Sequence, residues 1–532
     1  MSEGKLEWMI GEVLVGRMGR REFIGRAGAM GVGVTAATTL LSSAGIAEEP
    51  LKGGTVNLAT EYSGPEETFD TTKMTNSTDI QRAYQVYDCL FNLDRDLNVV
   101  PSLVTEWEAA NDATEWTFKL RDGVEFHDGK TLTAADVIYS LHVHIKEGSE
   151  SPAKSLLASI VDMQADGDGV VKITLDSGNA DFPTLLAYDY HTSIIAEGWV
   201  DGMPVNGTGL YRLTEFTPGL ESVTERFGNY WDSSAGHVDG IITRGIPDGA
   251  ARTNALRSGD IDICRDIEAR VASLLAQDPG VEVISTPSGA WFAWIMACDR
   301  APTNDLNLRL AMKYAVDRQY LVDNVLLGNG KVANDFPVNP GLPTYCREIP
   351  QYTYDPEKAK FYWDKTGLSS IEIAVSNAAH PNALDCSVIL QEQAKAAGID
   401  IQLNRVPDDG YWSDTWMQVP FCVTGWNSRP TADSILTIAY ASGGSWNETF
   451  WGNARFDELL VLGRKETDPA KRAEIYCEAQ TLLHDDGGSV IPFFTNDING
   501  IGKRIQNFHG SPANQMGAGW PYKEMWIDDS KA

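Results

Sequence analysis

Positive charge is scarce in this sequence of 532 residues. It contains 43 lysines and arginines against 74 aspartates and glutamates, which gives a formal net charge of −31 at pH 7. The phosphates of a nucleic acid and the surface of an anionic membrane would both repel such a chain. The charge balance therefore argues against a nucleic-acid partner and predicts a self-repelling protein that stays in solution.

Motifs for metal and redox chemistry are also missing. None of the seven cysteines forms a CxxC pair, which argues against a zinc ribbon or a thioredoxin-like site. The eight histidines are scattered, apart from His142 and His144. Two helix positions at this spacing point to nearly opposite sides and cannot share an ion. No Walker motif or dinucleotide fingerprint follows a strand, so we expect no metal and no cofactor.

A long apolar run is absent, but a short one follows two arginines near the N-terminus. Arg20 and Arg21 precede a stretch rich in alanine, glycine and threonine (27–41), and small residues offer cleavage after Ala44 or Ala47. This order resembles a twin-arginine export signal. The stretch is shorter than the roughly 20 residues that span a bilayer. We therefore expect residues 1–47 to be a cleaved signal peptide and the mature protein to be periplasmic.

Export to the periplasm would place the cysteines in an oxidising compartment, where disulfides are permitted. Their number is odd, so at least one has no partner within the chain. The sequence does not reveal which cysteines pair.

The chain contains a mixture of strand and helix patterns. Residues 53–62 predict a buried strand, and residues 115–129 alternate polar and apolar before two Asp-Gly turns, which predicts a β-hairpin. Long helix patterns cover 133–148, 308–330 and 468–488. Interspersed strands and helices over this length predict an α/β protein with two or three domains.

Local signals mark where two of these helices begin. Thr133 and Asp136 have the spacing of a capping box, which satisfies free N–H groups of the first turn. Asp468 followed by Pro469 is typical of an N-cap with proline at the first helical position. These signals predict helix starts just after Thr133 and Asp468.

Six blocks of sequence together resemble the periplasmic dipeptide-, oligopeptide- and nickel-binding proteins of ABC importers, known as extracellular solute-binding protein family 5. The blocks occur in the order typical of that family. They are LVTEWEAANDATEWTFKLRDGVEFHDGKTLTAADVIYSL (103–141), GTGLYRL (207–213), FGNYW (227–231), ARTNALRSGDIDI (251–263), LRLAMKYAVDRQYLV (308–322) and YDPEKAKFYW (354–363).

The resemblance implies an α/β fold with two lobes, a hinge and a ligand sealed between the lobes. It also implies an extra subdomain in the larger lobe. The implied division is lobe I at 48–90, 206–298 and 491–532, the extra subdomain at 91–205, and lobe II at 299–490. The implied function is that of an exported, monomeric, non-catalytic receptor. It delivers a small organic solute, peptide-like or anionic, to a membrane permease.

Two alternative functions stay open. Ser151 and Lys154 match S-x-x-K, and a K-T-G motif ends at Gly367, as in serine hydrolases of the β-lactamase kind. However, Gly367 closes a helix pattern, whereas the mechanism needs that motif on a strand. The second alternative is a receptor for a metal held in an organic chelator, because the family includes nickel-binding members.

The C-terminal third is rich in tryptophan. Trp412, Trp426 and Trp446 lie beside turn-forming residues, whereas Trp416 and Trp451 fit a core. Ligand pockets combine aromatic walls with a few polar groups. The resemblance implies that the loop after Trp426 and the exit of the first strand line the cleft. The predicted ligand contacts are Tyr62, Lys154, Trp412, Trp426, Asn427, Arg429, Trp446 and Asn447.

Arg429 departs from the family pattern. Peptide-binding members carry an aspartate in this loop, which pairs with the ammonium of the ligand. Arginine offers five donors and suits a carboxylate, phosphate or sulfonate. We therefore predict that Arg429 anchors an anionic group. The alternative is that it points to solvent or pairs with Asp433.

Overall fold

The computed structural model describes residues 6, 9, 10, 18, 20–30, 32, 50–444, 446–512 and 519–531. The helix Arg20–Ala29 includes the backbone of both arginines of the predicted signal. The predicted cleavage positions, Ala44 and Ala47, lie outside the described residues. Within the described ranges, no helix combines the length and apolar character needed to cross a bilayer.

Helices and strands are interspersed along the chain. The helices are α1 (Arg20–Ala29), α2 (Ser77–Val86), α3 (Ala134–Ile145), α4 (Phe182–Tyr188), α5 (Gly249–Ser258), α6 (Ala269–Leu275), α7 (Leu306–Ala315), α8 (Arg318–Asn324), α9 (Pro356–Thr366), α10 (Ala383–Ala394), α11 (Ala432–Tyr440), α12 (Ala454–Lys465), α13 (Pro469–Asp486) and α14 (Trp520–Glu524).

The strands are β1 (Thr55–Thr60), β2 (Phe91–Leu93), β3 (Val99–Pro101), β4 (Val104–Ala110), β5 (Glu115–Leu120), β6 (Ile160–Ala165), β7 (Val170–Leu175), β8 (Tyr211–Thr217), β9 (Glu221–Arg226), β10 (Gly240–Gly245), β11 (Ile263–Cys264), β12 (Val281–Met296), β13 (Gly330–Val332), β14 (Ile371–Val375), β15 (Ile401–Arg405), β16 (Phe421–Trp426), β17 (Ser489–Gly502), β18 (Ile505–Gln506) and β19 (Trp526–Ile527).

A mixed sheet runs through the molecule in the order β15-β14-β16-β12-β17-β11-β1-β10-β9-β8, with β13 also paired to β17. The long strands β12 and β17 are antiparallel and belong to both halves of this sheet. Their register shifts between Pro287 and Trp291, where the half that contains β1 gives way to the half that contains β16. These two strands therefore connect the halves, while the lobe boundaries given above stay a prediction.

A second sheet, β4-β5-β7-β6, is antiparallel and lies within the segment predicted as the extra subdomain. Its buried residues, among them Phe118, belong to a hydrophobic cluster that continues through Phe182 of α4 to Phe456 of α12 and Tyr476 of α13. This small sheet therefore shares a core with the helices of the C-terminal third. The shared core brings α4 close to the loop that follows β16.

The predicted β-hairpin over residues 115–129 is wrong. Strand β5 pairs with β4 on one edge and with β7 on the other. Only an isolated bridge between Glu125 and Thr131 forms around the second Asp-Gly turn. Periodicity identified the strand but not its partners, because both edges of β5 are occupied by other strands.

The predicted helix over 308–330 is wrong in its extent, since it breaks after Ala315 into α7 and α8. The side chain of Asp317 accepts a hydrogen bond of 2.9 Å from the backbone N–H of Tyr320 and caps α8. A cap residue has non-helical backbone angles, so this bond competes with a continuous helix. The capping box of Thr133 and Asp136 and the cap at Asp468 are confirmed.

One disulfide joins Cys346 to Cys477 of α13. It connects two segments that are 131 residues apart in sequence. The other cysteines are free, at positions 89, 264, 298, 386 and 422. This pairing could not be read from the sequence, because it depends on how α13 packs in three dimensions.

Candidate ligand-binding site

The tryptophan-rich segments meet at the end of β16. Gly425 lets this strand pass close to a neighbouring loop, since a Cβ there would lie 2.3 Å from the carbonyl oxygen of Ala379. Trp426 follows and is buried. Its ring stacks on Trp291 of β12 with centroids 5.8 Å apart and planes at 9°. The two residues are direct partners in the sheet, so strand pairing fixes this stack.

Glu448 joins the tryptophan rings to one another. Its side chain accepts a hydrogen bond of 2.8 Å from Nε1 of Trp426 and another from Nε1 of Trp416. The ring of Trp446 contacts Trp426 edge-on at 5.6 Å, and Trp412 contacts Trp416 in the same way at 5.5 Å. We call this group the tryptophan cluster, made of Trp291, Trp412, Trp416, Trp426 and Trp446.

The cluster has a buried side and an exposed side. Glu448 is 2% exposed, whereas Trp412 is 45% exposed and Trp446 is 44% exposed. Burial raises the pKa of Glu448 to about 7, and the N–H groups of Trp416 and Trp426 act in the opposite direction. The cluster thus presents open indole faces above a carboxyl group that is close to its titration point at neutral pH.

Arg429 lies beside the cluster, with its guanidinium carbon 5.6 Å from the ring centroid of Trp426. The side chain is partly exposed. Asp433, its predicted alternative partner, instead forms an ion pair of 2.9 Å with Arg464. The alternative pairing of Arg429 with Asp433 is therefore wrong. Within the described part of the chain, Arg429 has no ion pair or hydrogen bond.

The loop that carries Arg429 is fixed from two sides. The hydroxyl of Tyr188, at the end of α4, donates a hydrogen bond of 3.1 Å to the carbonyl oxygen of Ser428. The amide of Asn339 donates one of 3.4 Å to the Ser428 hydroxyl. Burial raises the pKa of Tyr188 to about 12, although the charge of Arg429 lowers it. The loop is thus held in place while Asn427 stays exposed.

The side chains of the other three predicted contacts, Asn447, Tyr62 and Lys154, form hydrogen bonds to residues nearby in sequence. The buried amide of Asn447 donates to the carbonyl oxygens of Ala441 and Trp451, at 3.1 and 2.7 Å. The hydroxyl of Tyr62, after β1, donates to Glu66. The exposed amine of Lys154 donates to the carbonyl oxygen of Ser149 at 3.1 Å.

The geometry required by the serine-hydrolase alternative is not formed. The hydroxyl of Ser151 lies 2.6 Å from Nδ1 of His144, while the amine of Lys154 bonds elsewhere. Gly367 caps helix α9 in a left-handed conformation, so the K-T-G motif is not on a strand. Burial lowers the pKa of His144 to about 4, which makes it a weak base at neutral pH.

Metal ligands are not assembled either. In the ranges that the structure describes, no group of three or more His, Cys, Asp or Glu side chains could hold a metal ion. On α3, His142 is exposed and His144 is buried. The two histidines therefore lie in different environments, as their spacing predicted.

Three residues of this region were missed by sequence analysis. Trp291 lies in β12, more than a hundred positions before the other tryptophans of the cluster. Tyr188 lies at the end of α4, which packs in the core of the second sheet. Glu448 stands in a polar, turn-rich stretch that suggests a surface residue. A usable signal was the acid placed between Trp446 and Trp451, since indole N–H groups seek acceptors when buried.

The architecture defines the class of protein. The structure of HbpA2 from Haemophilus parasuis superposes with a TM-score of 0.78 at 22% identity, covering 89% of this chain and 100% of that one. This likeness shows the periplasmic-binding-protein fold. Residues 98–448 match the family described as bacterial extracellular solute-binding proteins, family 5 Middle. The chain belongs to that family, and the fold class and solute-binding role predicted from the six blocks are confirmed.

Known relatives are similar over most of the length. The probable D,D-dipeptide-binding periplasmic protein DdpA of Escherichia coli (strain K12) is 26% identical over 469 residues, which cover 84% of this chain and 90% of the relative. The glutathione-binding protein GsiB of Salmonella typhi is 26% identical over 419 residues, which cover 75% of this chain and 81% of the relative.

Proposed function

We propose that the protein captures a small organic solute with a carboxylate or similar anionic group and delivers it to an ABC permease. The observation that carries this proposal is Arg429, a partly exposed cation beside an indole wall, with no anion paired to it in the described residues. A guanidinium forms short, charge-assisted hydrogen bonds with a carboxylate. Indole rings around it exclude water and strengthen those bonds.

The proposed contacts follow from exposure and bonding. Arg429 binds the anionic group, and Asn427 is an exposed polar contact. The wall is formed by Trp446 and Trp412, which are exposed, and by Trp426, which is 8% exposed. Asn447 is left out, because its amide already bonds to backbone oxygens in the core.

Two contacts rest on the family resemblance alone. Tyr62 follows β1 in the other half of the sheet, and Lys154 follows α3. Both side chains bond locally in the structure, so their part in ligand binding requires new contacts once a solute is present. They are proposed as contacts from the opposite side of the cleft.

The names of the two relatives support the ligand class. A D,D-dipeptide and glutathione both carry free carboxylates, and both are flexible molecules with amide bonds. A receptor for such molecules needs an anion anchor and a surface that accepts varied side chains. Arg429 and the exposed indoles supply these two features.

The test begins with mass spectrometry of small molecules released from denatured, natively purified protein. Calorimetry with the recovered solute then compares wild type with Arg429→Ala. Loss of one partner of a buried charge pair costs about 2–5 kcal/mol, or roughly 30- to several-thousand-fold in affinity. Arg405→Ala, which removes an exposed arginine of β15, should leave affinity unchanged. Binding by Arg429→Ala within about twofold of wild type would contradict the proposal.

We also propose that the solute is bound without chemical change while the two lobes close around β12 and β17. The recovered molecule should then be identical before and after binding. X-ray scattering should show a smaller radius of gyration when the recovered solute is added. An unchanged radius at saturating solute would argue against closure.

Export to the periplasm is the remaining part of the proposal, and the family's description as extracellular supports it. Replacing both Arg20 and Arg21 with lysine should leave the precursor in the cytoplasm. Normal export of that double variant would exclude the twin-arginine route.

A further inference from the structure

Glu448 is unusual among the buried carboxyl groups of this protein. It is 2% exposed, yet no ion pair joins it to a lysine, arginine or histidine in the described part of the chain. Both of its resolved hydrogen bonds come from neutral indole N–H groups, those of Trp416 and Trp426. A buried carboxylate usually has a cationic partner, because the loss of hydration is otherwise poorly compensated.

The two indole donors are divided between the two carboxylate oxygens. Trp426 donates to Oε1 and Trp416 donates to Oε2. An ionised carboxylate accepts at both oxygens at once, whereas a protonated one must also place its own O–H. The hydroxyl of Thr424 adjoins the carboxyl group and, like the two indole N–H groups, favours its ionised form.

Glu448 connects three separate pieces of chain. Trp416 follows the short π-helical turn 411–415, Trp426 ends β16, and Glu448 itself lies in the loop that carries Trp446. The indoles of Trp416 and Trp426 are thus fixed in angle through one side chain. Trp412 and Trp446 pack edge-on against these two rings and take their position from them.

We propose that Glu448 is the residue that positions the indole wall of the ligand site, and that it does so in its ionised form. The proposal rests on the function proposed above, since it assumes that this wall contacts the solute. Protonation would release one of the two indoles to a weaker bond. The orientation of the wall would then depend on pH.

The groups that face Glu448 do not compete with it near neutral pH. They are Tyr411 from the π-helical turn, Cys422 from β16 and Tyr440 from α11. Burial raises the pKa of Cys422 to about 12 and the pKa values of both tyrosines above their ordinary range, and the charge of Glu448 adds to each shift. Glu448 is therefore the group in this surrounding that titrates at neutral pH, because burial raises its pKa to about 7.

The test uses ligand-free protein, with its tryptophans labelled at the indole nitrogen and observed by NMR between pH 5 and 9. Two indole N–H signals should move together with a midpoint near pH 7. Glu448→Gln should abolish that movement. Trp416→Phe should remove one of the two signals and raise the midpoint of the other by about one pH unit or more, since a hydrogen bond to the charged form is lost.

The control is Trp231→Phe, which removes an indole that donates to Asp88 at 3.1 Å. It should leave both signals and their midpoint unchanged. A midpoint that is the same in Trp416→Phe and wild type would overturn the proposal, as would signals that still move in Glu448→Gln. If Glu448→Gln does not fold, Trp416→Phe decides alone. No solute is present, so failure here leaves the Arg429 experiment intact.

Discussion

Two groups of charged side chains lie near the loop that follows β16. Asp433 is buried and pairs with Arg464, and Asp181 of the α4 region is buried and pairs with Arg472. We call these four residues the ion-pair interface. Arg429 and Glu448 lie in the neighbouring tryptophan cluster, and neither has a partner of opposite charge in the described residues.

The difference separates a structural contact that is complete from the site that we propose for the ligand. In the ion-pair interface every charge that folding buries is matched across the contact, so the contact is complete in the free protein. In the tryptophan cluster a cation and a carboxyl group keep part of their bonding capacity unused. An anionic solute would supply the partner that Arg429 lacks, whereas Glu448 keeps its two indole donors.

The largest expected loss of stability comes from removing one partner of a buried ion pair. Arg472→Ala leaves the carboxylate of Asp181 buried without its cation, and loss of one partner of a buried pair costs about 3–5 kcal/mol. Urea unfolding measures the change. The control is Arg455→Ala, whose exposed pair with Glu478 joins α12 to α13. Its midpoint should barely move, and equal losses for both variants would show that burial does not decide the effect.

Removal of the disulfide tests how much the stability of the region around α13 depends on a covalent bond. Cys477 and Arg472 both lie on α13. Loss of a disulfide that closes a loop of this length costs about 2–4 kcal/mol. The double variant Cys346→Ala and Cys477→Ala should therefore unfold at lower urea than wild type, and a reducing agent should not lower its midpoint further. Equal midpoints for oxidised and reduced wild type would contradict this prediction.

The next effect concerns the unmatched carboxyl group and its pH dependence. Burial raises the pKa of Glu448 from 4.5 to about 7 in the folded protein, so the folded state binds this proton more tightly than the unfolded state. The stability that this tighter proton binding gives to the folded state is complete below pH 4.5, and it is lost as the pH rises through 7. A one-proton difference gives up to about 1.4 kcal/mol per pH unit.

Glu448→Gln should remove that dependence. Between pH 5 and pH 8, wild type should lose about 2 kcal/mol relative to the variant. Other groups, such as the buried His144, titrate equally in both proteins and cancel in the difference. Parallel stability curves for the two proteins would show that Glu448 has an ordinary pKa.

Local sequence signals predicted much of the fold but not its long-range pairs. The caps at Thr133 and Asp468 act within a few residues of the helix they begin, so they can be read directly. The partners of β5 and the break at Asp317 depend on what packs nearby and were predicted wrongly. The periodicity of a single segment does not contain the information that selects a strand's partners or breaks a helix.

The candidate site shows the same limit. Arg429 stood out because it differs from the aspartate that the family pattern places in that loop. Glu448 did not stand out, since its bonds reach Trp426 and Trp416, which are 22 and 32 positions away. The partner of Asp433 is 31 positions away, in α12. Only the folded chain distinguishes the charge that is matched from the charge that is not.

The smallest expected effect is the most decisive for this distinction. Arg429→Ala should change the free energy of unfolding of the ligand-free protein by less than about 0.5 kcal/mol. No ion pair of the described residues is lost, and removal of a half-buried cation relieves some desolvation. Asp433→Ala, by contrast, leaves Arg464 without its carboxylate and should cost several times more. Urea unfolding of both variants without solute gives the comparison. A loss above about 1 kcal/mol for Arg429→Ala would make this arginine a structural residue, and the unmatched cation could no longer be assigned to a ligand.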